Sequence, residues 1–212
     1  MTFPNAASGV KKLFIAEILQ LIGTILIAIA AVAGLGALGA AVDGSDSAAA
    51  GFGIGALIGG AGSAVVMVIA FILSLVGLFQ ASKDEPTFIK YAFFISIAAI
   101  VLAVIQSFLS SSNPDIADVI GSVVQIASLL IFLFTIIGVG VLAQKLGCNN
   151  IYALGNKLLW VIAIISIISL ILNFLGGTAG DVLAIAGSIL SIASYIIFLL
   201  YLSKASRMLQ TM

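Results

Sequence analysis

The chain has 212 residues, 63% of them hydrophobic and only 8% charged, against about 25% charged in an average soluble domain, so a water-soluble fold cannot hide its apolar surface. Eight basic and eight acidic residues cancel, which leaves no basic field for nucleic acid. The absence of histidine and the single cysteine, Cys148, remove intrachain disulfides and every histidine-dependent catalytic or metal site.

The first apolar segment covers roughly 13–42. Lys11 and Lys12 ahead of it imitate the charged start of a secretory signal, but Glu17 and Gln20 interrupt the apolar core and the run continues to about Val42, so it reads as a membrane span. Within it Gly34, Gly36 and Gly39 spell the dinucleotide-binding pattern. That pattern needs a strand before it and an acid about 20 residues on; position 59 is glycine, and the next acid after Asp46 is Asp84. The small residues predict packing instead: Gly36 with Ala40, and Ala33 with Ala37 and Ala41, form a shallow stripe on one helix face.

The second segment, roughly 52–81, carries the partner stripe. Gly51, Gly55, Gly59 and Ser63 recur every four residues, which puts them on one side of a helix where another backbone can approach closely. Glycine in a water-exposed helix costs roughly 1 kcal/mol relative to alanine, so the stripe suits lipid, where the backbone cannot leave the helix. The tip AAVDGSDSAAAGFG between these two spans is rich in small residues and is expected to be the most mobile external element.

Four further segments follow at about 88–111, 116–144, 151–175 and 182–203, each at or above the ~20 residues a bilayer requires. Six spans put both termini on one side. Lys11, Lys12, Lys83, Lys90, Lys145, Lys157, Lys204 and Arg207 all fall at the termini or in the even-numbered loops, while Asp43, Asp46, Asp115, Asp118 and Asp181 occupy the odd-numbered ones. The positive-inside rule makes the basic side cytoplasmic. Tyr91, Tyr152, Trp160 and Tyr201 lie near the same ends, where amphipathic rings favour the headgroup layer.

Gly-Ser pairs recur in the even spans at 62–63, 121–122 and 187–188, and the last two extend into GSVVQIAS and GSILSIAS. The expected fold is therefore all-α, a six-transmembrane-helix bundle made of three tandem parallel hairpins, at about 10–83, 84–145 and 150–207, in a single integral membrane domain.

The remaining polar residues carry little chemistry. Glu17 lies close enough to Lys12 for an interfacial role, and Asp118 and Asp181 are placed to cap helix N-termini. Gln125, Asn173 and Gln106 predict either interhelical hydrogen bonds or a polar path, and Cys148 in KLGCNN reads as a free loop thiol. No cofactor, metal or catalytic residue is expected, so the chain does not read as an enzyme. Two functions stand. One is contact: an accessory or scaffold subunit, or a homo-oligomer, whose partners are the lipid bilayer and another membrane protein or a second copy. The other is a small transporter or channel for a neutral or apolar solute, lined by Ser, Gly and Gln.

The passage GLFQASKDEPTFIKYAFFISIAAIV, residues 77–101, resembles the loop between spans in uncharacterised small prokaryotic multi-span membrane proteins, a domain of unknown function. The resemblance implies a prokaryotic plasma membrane and brings no activity with it.

Overall fold

The computed structural model describes the backbone of residues 3–42, 46–175 and 177–211, and the side chains of these outside 37–55, 58 and 166–191. The protein is all-α. Six helices follow one another: α1 Pro4–Val42, α2 Asp46–Ala81, α3 Phe88–Leu109, α4 Pro114–Lys145, α5 Asn149–Leu175 and α6 Gly177–Gln210. Among the described residues five stretches are long and apolar enough to cross a membrane: Pro4–Gly36, Gly59–Ala81, Phe88–Leu109, Pro114–Lys145 and Ile192–Gln210. The fifth expected span lies in α5, whose side chains are described only as far as Ile165.

Several helices outrun the apolar segments that foreshadow them, and the extensions of α1, α4 and α5 and of the end of α6 have local causes. Pro4 and Pro114 occupy first-turn positions, where a missing N–H costs nothing because that donor has no intrahelical partner. The end of α6 continues past Lys204 because its last turns are amphipathic: Leu202, Ala205, Ser206, Met208 and Leu209 are buried while Lys204 and Arg207 are exposed. At the end of α4, Gly147 adopts φ 72°. Its N–H donates to the Gln144 carbonyl at 3.0 Å and that of Cys148 to Ala143 at 2.9 Å, the paired bonds that close a helix through a left-handed residue. The Cys148 carbonyl then accepts from Ile151 and Tyr152, so the same residue opens α5.

The chain divides into two compact units, Lys12–Val76, and Met1–Lys11 together with Gly77–Met212. In the smaller unit α1 and α2 run antiparallel in a fixed register. A Cβ on Gly59 would lie 3.0 Å from the Ala30 Cβ, one on Gly34 would lie 3.9 Å from that of Ala56, and one on Gly23 would meet the Met67 sulfur at 2.9 Å.

In the larger unit α4 packs against α3, α5 and α6. Its residues Thr135, Ile136, Gly138, Val139, Gly140, Leu142 and Ala143 are buried almost without interruption, as a helix enclosed on several sides requires. Gly138 and Gly140 are two residues apart, roughly 200° around the axis, and therefore serve different neighbours. Gly138 faces Ile89 of α3; Gly140 faces Tyr152 of α5 and Tyr201 of α6.

Candidate functional site

The α2–α3 connection holds two consecutive carboxylates, and each takes a different helix N-terminus. Backbone bonds from Ser82, Asp84 and Glu85 to Leu78 and Ala81 continue the winding of α2, and Pro86 ends it. That turn sends Asp84 to α1, where its Oδ2 accepts from the Ala6 N–H at 2.7 Å and its Oδ1 accepts from the Asn5 Nδ2 at 3.0 Å. Glu85 turns the other way. Its side chain is 2% exposed, and Oε2 accepts from the Ile89 N–H at 2.7 Å in the first turn of α3, where the Thr87 side chain makes no cap. Both carboxylates thus sit where unpaired N–H groups and the helix dipole favour negative charge. Beside them the Lys83 ammonium rests 4.9 Å from the centre of the Phe79 ring, which contacts Phe93. Asp84→Ala is expected to cost about 1 kcal/mol, the usual effect of deleting a cap, read as a lower midpoint for unfolding in a detergent titration.

A second node lies between α4, α5 and α6. Tyr201 is fully buried, and its hydroxyl donates to the Ile136 carbonyl at 2.9 Å. Gly155 makes room for it, since a Cβ there would lie 3.0 Å from the phenol oxygen. This corrects the expectation that Tyr201 is an interfacial anchor. Its ring is enclosed, whereas Tyr91, Tyr152 and Trp160 are exposed as an interfacial role requires.

Among the described glycines, the one held tightest against another helix's backbone lies in neither stripe. In the larger unit a Cβ on Gly9 would meet the Gly77 carbonyl oxygen at 2.5 Å and the Ala81 nitrogen at 2.6 Å, so the two backbones are in direct contact. Ala6, Val10, Leu78 and Ala81 are buried around it, and Ser8 Oγ donates to Gln80 Oε1 at 3.0 Å. The signal was legible as Gly77 and Ala81 four apart, a small-xxx-small pair.

Of the stripe residues, Gly59 faces Ala30 and Leu26 of α1. Ser63 is buried, its hydroxyl donating to the Gly60 carbonyl at 2.7 Å. Gly51, Gly55 and Ala40 lie outside the described side chains, and Gly36 is half-buried. Gly59→Leu is expected to cost about 1–3 kcal/mol by overpacking against Ala30. Gly60→Ala and Gly62→Ala, whose added Cβ would meet nothing within 4 Å, should not lower stability in the same titration.

The Gly-Ser pairs of the proposed repeat do different work. Ser63 is buried whereas Ser122 is exposed, its hydroxyl turned back to the Asp118 carbonyl, and it is Gly121 that makes the contact, beneath the Gln106 amide. The pair at 187–188 lies outside the described side chains. Asp118 sits a full turn inside α4; the acid in the first turn is Asp115. Asp181 lies outside the described side chains, and Lys12 and Glu17 each have a partner. The Cys148 thiol is partly exposed and in no disulfide, with the Leu146 carbonyl 3.9 Å away.

The three amides expected to make interhelical hydrogen bonds or a polar path are described in part. Gln106 covers Gly121, Asn173 lies outside the described side chains, and Gln125 lines a pocket of about 360 Å³ between α4, α5 and α6. Helix α4 contributes Gln125, Ser128, Leu129 and Phe132 at the i, i+3, i+4, i+7 positions of one face. Ile162 and Ile165 of α5 and Ser194 and Tyr195 of α6 complete the lining. The Phe132 and Phe198 rings meet at a tilt of 52°, with centres 4.0 Å apart. Among the described residues no group of three or more Asp, Glu and Cys side chains is placed to hold a metal.

No protein-family model, curated protein or solved structure matches the chain.

Proposed function

We propose that this is a multi-pass protein of a prokaryotic plasma membrane, with both termini cytoplasmic, that performs no catalysis. It acts through helix contact, as an accessory or scaffold subunit or as a homo-oligomer. The observation that carries the reading is where its polar chemistry goes. Asp84 and Glu85 are spent on helix N-termini and Tyr201 on a backbone carbonyl. Among the described residues no buried side-chain nitrogen or oxygen lacks a hydrogen-bond partner. What the molecule offers outward is hydrocarbon: Val32, Leu35, Leu57, Val65, Phe108, Val119 and Trp160 are each at least 60% exposed. Crosslinking in cells, followed by sizing in mild detergent, tests it. A defined partner or a stable multimer is expected, and a monomer that captures nothing in the membrane would overturn the reading.

The pocket around Gln125 favours a second reading, a small transporter or channel for a neutral or apolar solute. Flux in proteoliposomes that Gln125→Leu abolishes would establish it in place of the first.

A further inference from the structure

We propose that the pocket between α4, α5 and α6 holds one neutral membrane lipid, whose carbonyl oxygen accepts from the Gln125 amide while its chain lies along Leu129, Phe132, Ile162 and Ile165. The inference stands independently of any protein partner.

Depth comes first. The apolar run 116–144 of α4 is centred near residue 130, so Gln125 lies about five residues, roughly 8 Å, from the middle of a hydrocarbon layer about 30 Å thick. A carboxamide at that depth needs a partner, because an unsatisfied amide in an apolar medium costs several kcal/mol. Gln125 is exposed, and among the described residues no protein group hydrogen-bonds its side chain.

Size narrows the occupant. One turn of a helix with its side chains fills roughly 420 Å³ or more, taking a diameter of 10 Å and a pitch of 5.4 Å. A pocket of about 360 Å³, open on one side, is smaller than one such turn: it takes the carbonyl end and the nearest stretch of a slender chain, the rest of which lies in the bilayer, whereas a helix would rest across its mouth.

Chemistry narrows it further. Among the described residues the lining has no Lys, Arg, Asp or Glu, so a charged headgroup would enter without compensation there. The Ser128 hydroxyl already donates to the Val124 carbonyl at 2.9 Å, and Ser194 and Tyr195 each have a partner, so the Gln125 NH₂ is the donor that seeks an acceptor. An uncharged carbonyl on an apolar chain satisfies it. Two kinds of membrane lipid bring one to this depth: the ester of a diacylglycerol and the ring of a prenylquinone, the second with a flat ring to lie against Phe132 or Tyr195.

The test uses the full chain in phosphatidylcholine nanodiscs doped with a diazirine-tagged diacylglycerol or, separately, a diazirine-tagged prenylquinone, with adducts mapped by mass spectrometry after illumination. Adducts are expected within Gln125–Phe132 and Ile192–Tyr195 for at least one probe, and the probe that labels them names the source. Gln125→Leu should weaken that labelling about five-fold, the loss of one hydrogen bond, and Leu129→Trp, at a half-exposed position where the larger ring fills the space, should abolish it. Adducts spread evenly over outward residues such as Val101 and Phe108, or labelling unchanged in Leu129→Trp, would overturn the proposal. So would Gln125→Cys, made with Cys148→Ser, forming a disulfide between two copies in the membrane, because Gln125 would then face a second α4 and not a lipid.

Discussion

Gly9→Leu is expected to lower stability by about 3 kcal/mol or more, at or beyond the upper end of ordinary overpacking. Even the first added carbon has nowhere to go: it would lie 2.5 Å from the Gly77 oxygen, 2.6 Å from the Ala81 nitrogen and 2.8 Å from the Ala81 Cβ. Two of those three atoms are α2 backbone, which cannot rotate aside as a side chain does. The first turns of α1 must lift instead. That movement would also draw the Ala6 N–H and the Asn5 amide away from Asp84, so a packing change would cost a cap as well. Titrating dodecyl sulfate into protein held in mild detergent, with the near-ultraviolet circular dichroism as readout, measures the effect. An unchanged midpoint would mean that α1 and α2 do not touch at Gly9.

Gly138→Leu should be comparably damaging, by about 3 kcal/mol, for a different reason. A Cβ at this position runs into the Ile89 Cγ1 and stands 3.2 Å from both the Ile89 Cδ1 and the Glu85 Oε2. Ile89 is fully buried and Glu85 nearly so, which leaves neither side chain an escape. Helix α3 would have to withdraw from α4, and the carboxylate on its first turn would be displaced with it. Gly140→Ala is the internal control. Its added methyl would rest 3.6 Å from the Tyr152 ring and 3.8 Å from the Tyr201 oxygen, ordinary contact distances. With that space available, the change should raise stability by up to about 1 kcal/mol through the better helix propensity of alanine.

The helices themselves were legible because in this composition hydrophobic runs of bilayer length leave few alternatives, and the charges between the runs placed the connections. Their ends were less so. Apolarity says where hydrocarbon begins, whereas a helix stops where its last hydrogen bonds find other partners, and Asp84 supplies such a partner to α1 from 78 residues away. For the same reason the carboxylates passed unnoticed: Asp84 and Glu85 in a lysine-bearing loop look like solvated charge until the fold brings two helix N-termini to them. Tyr201 was misplaced because position along a span gives depth and not direction, and only the glycines at 140 and 155 reveal that its ring turns inward. Gln125 was recognised as a deep amide, but the pocket it lines draws on three helices and no periodicity within one segment discloses it.

The native Cys148 offers the most direct measurement of the claim beneath all of this, that lipid surrounds these helices and the end bearing Asp84, Glu85 and the lysines stays in the cytoplasm. Intact cells and permeabilised cells are treated in parallel with a membrane-impermeant maleimide. The wild-type thiol is expected to react only after permeabilisation, and a Cys148→Ser, Ser112→Cys variant, with its thiol in the α3–α4 connection, is expected to react in both. Labelling of Cys148 in intact cells, or protection of the thiol at position 112 there, would contradict it.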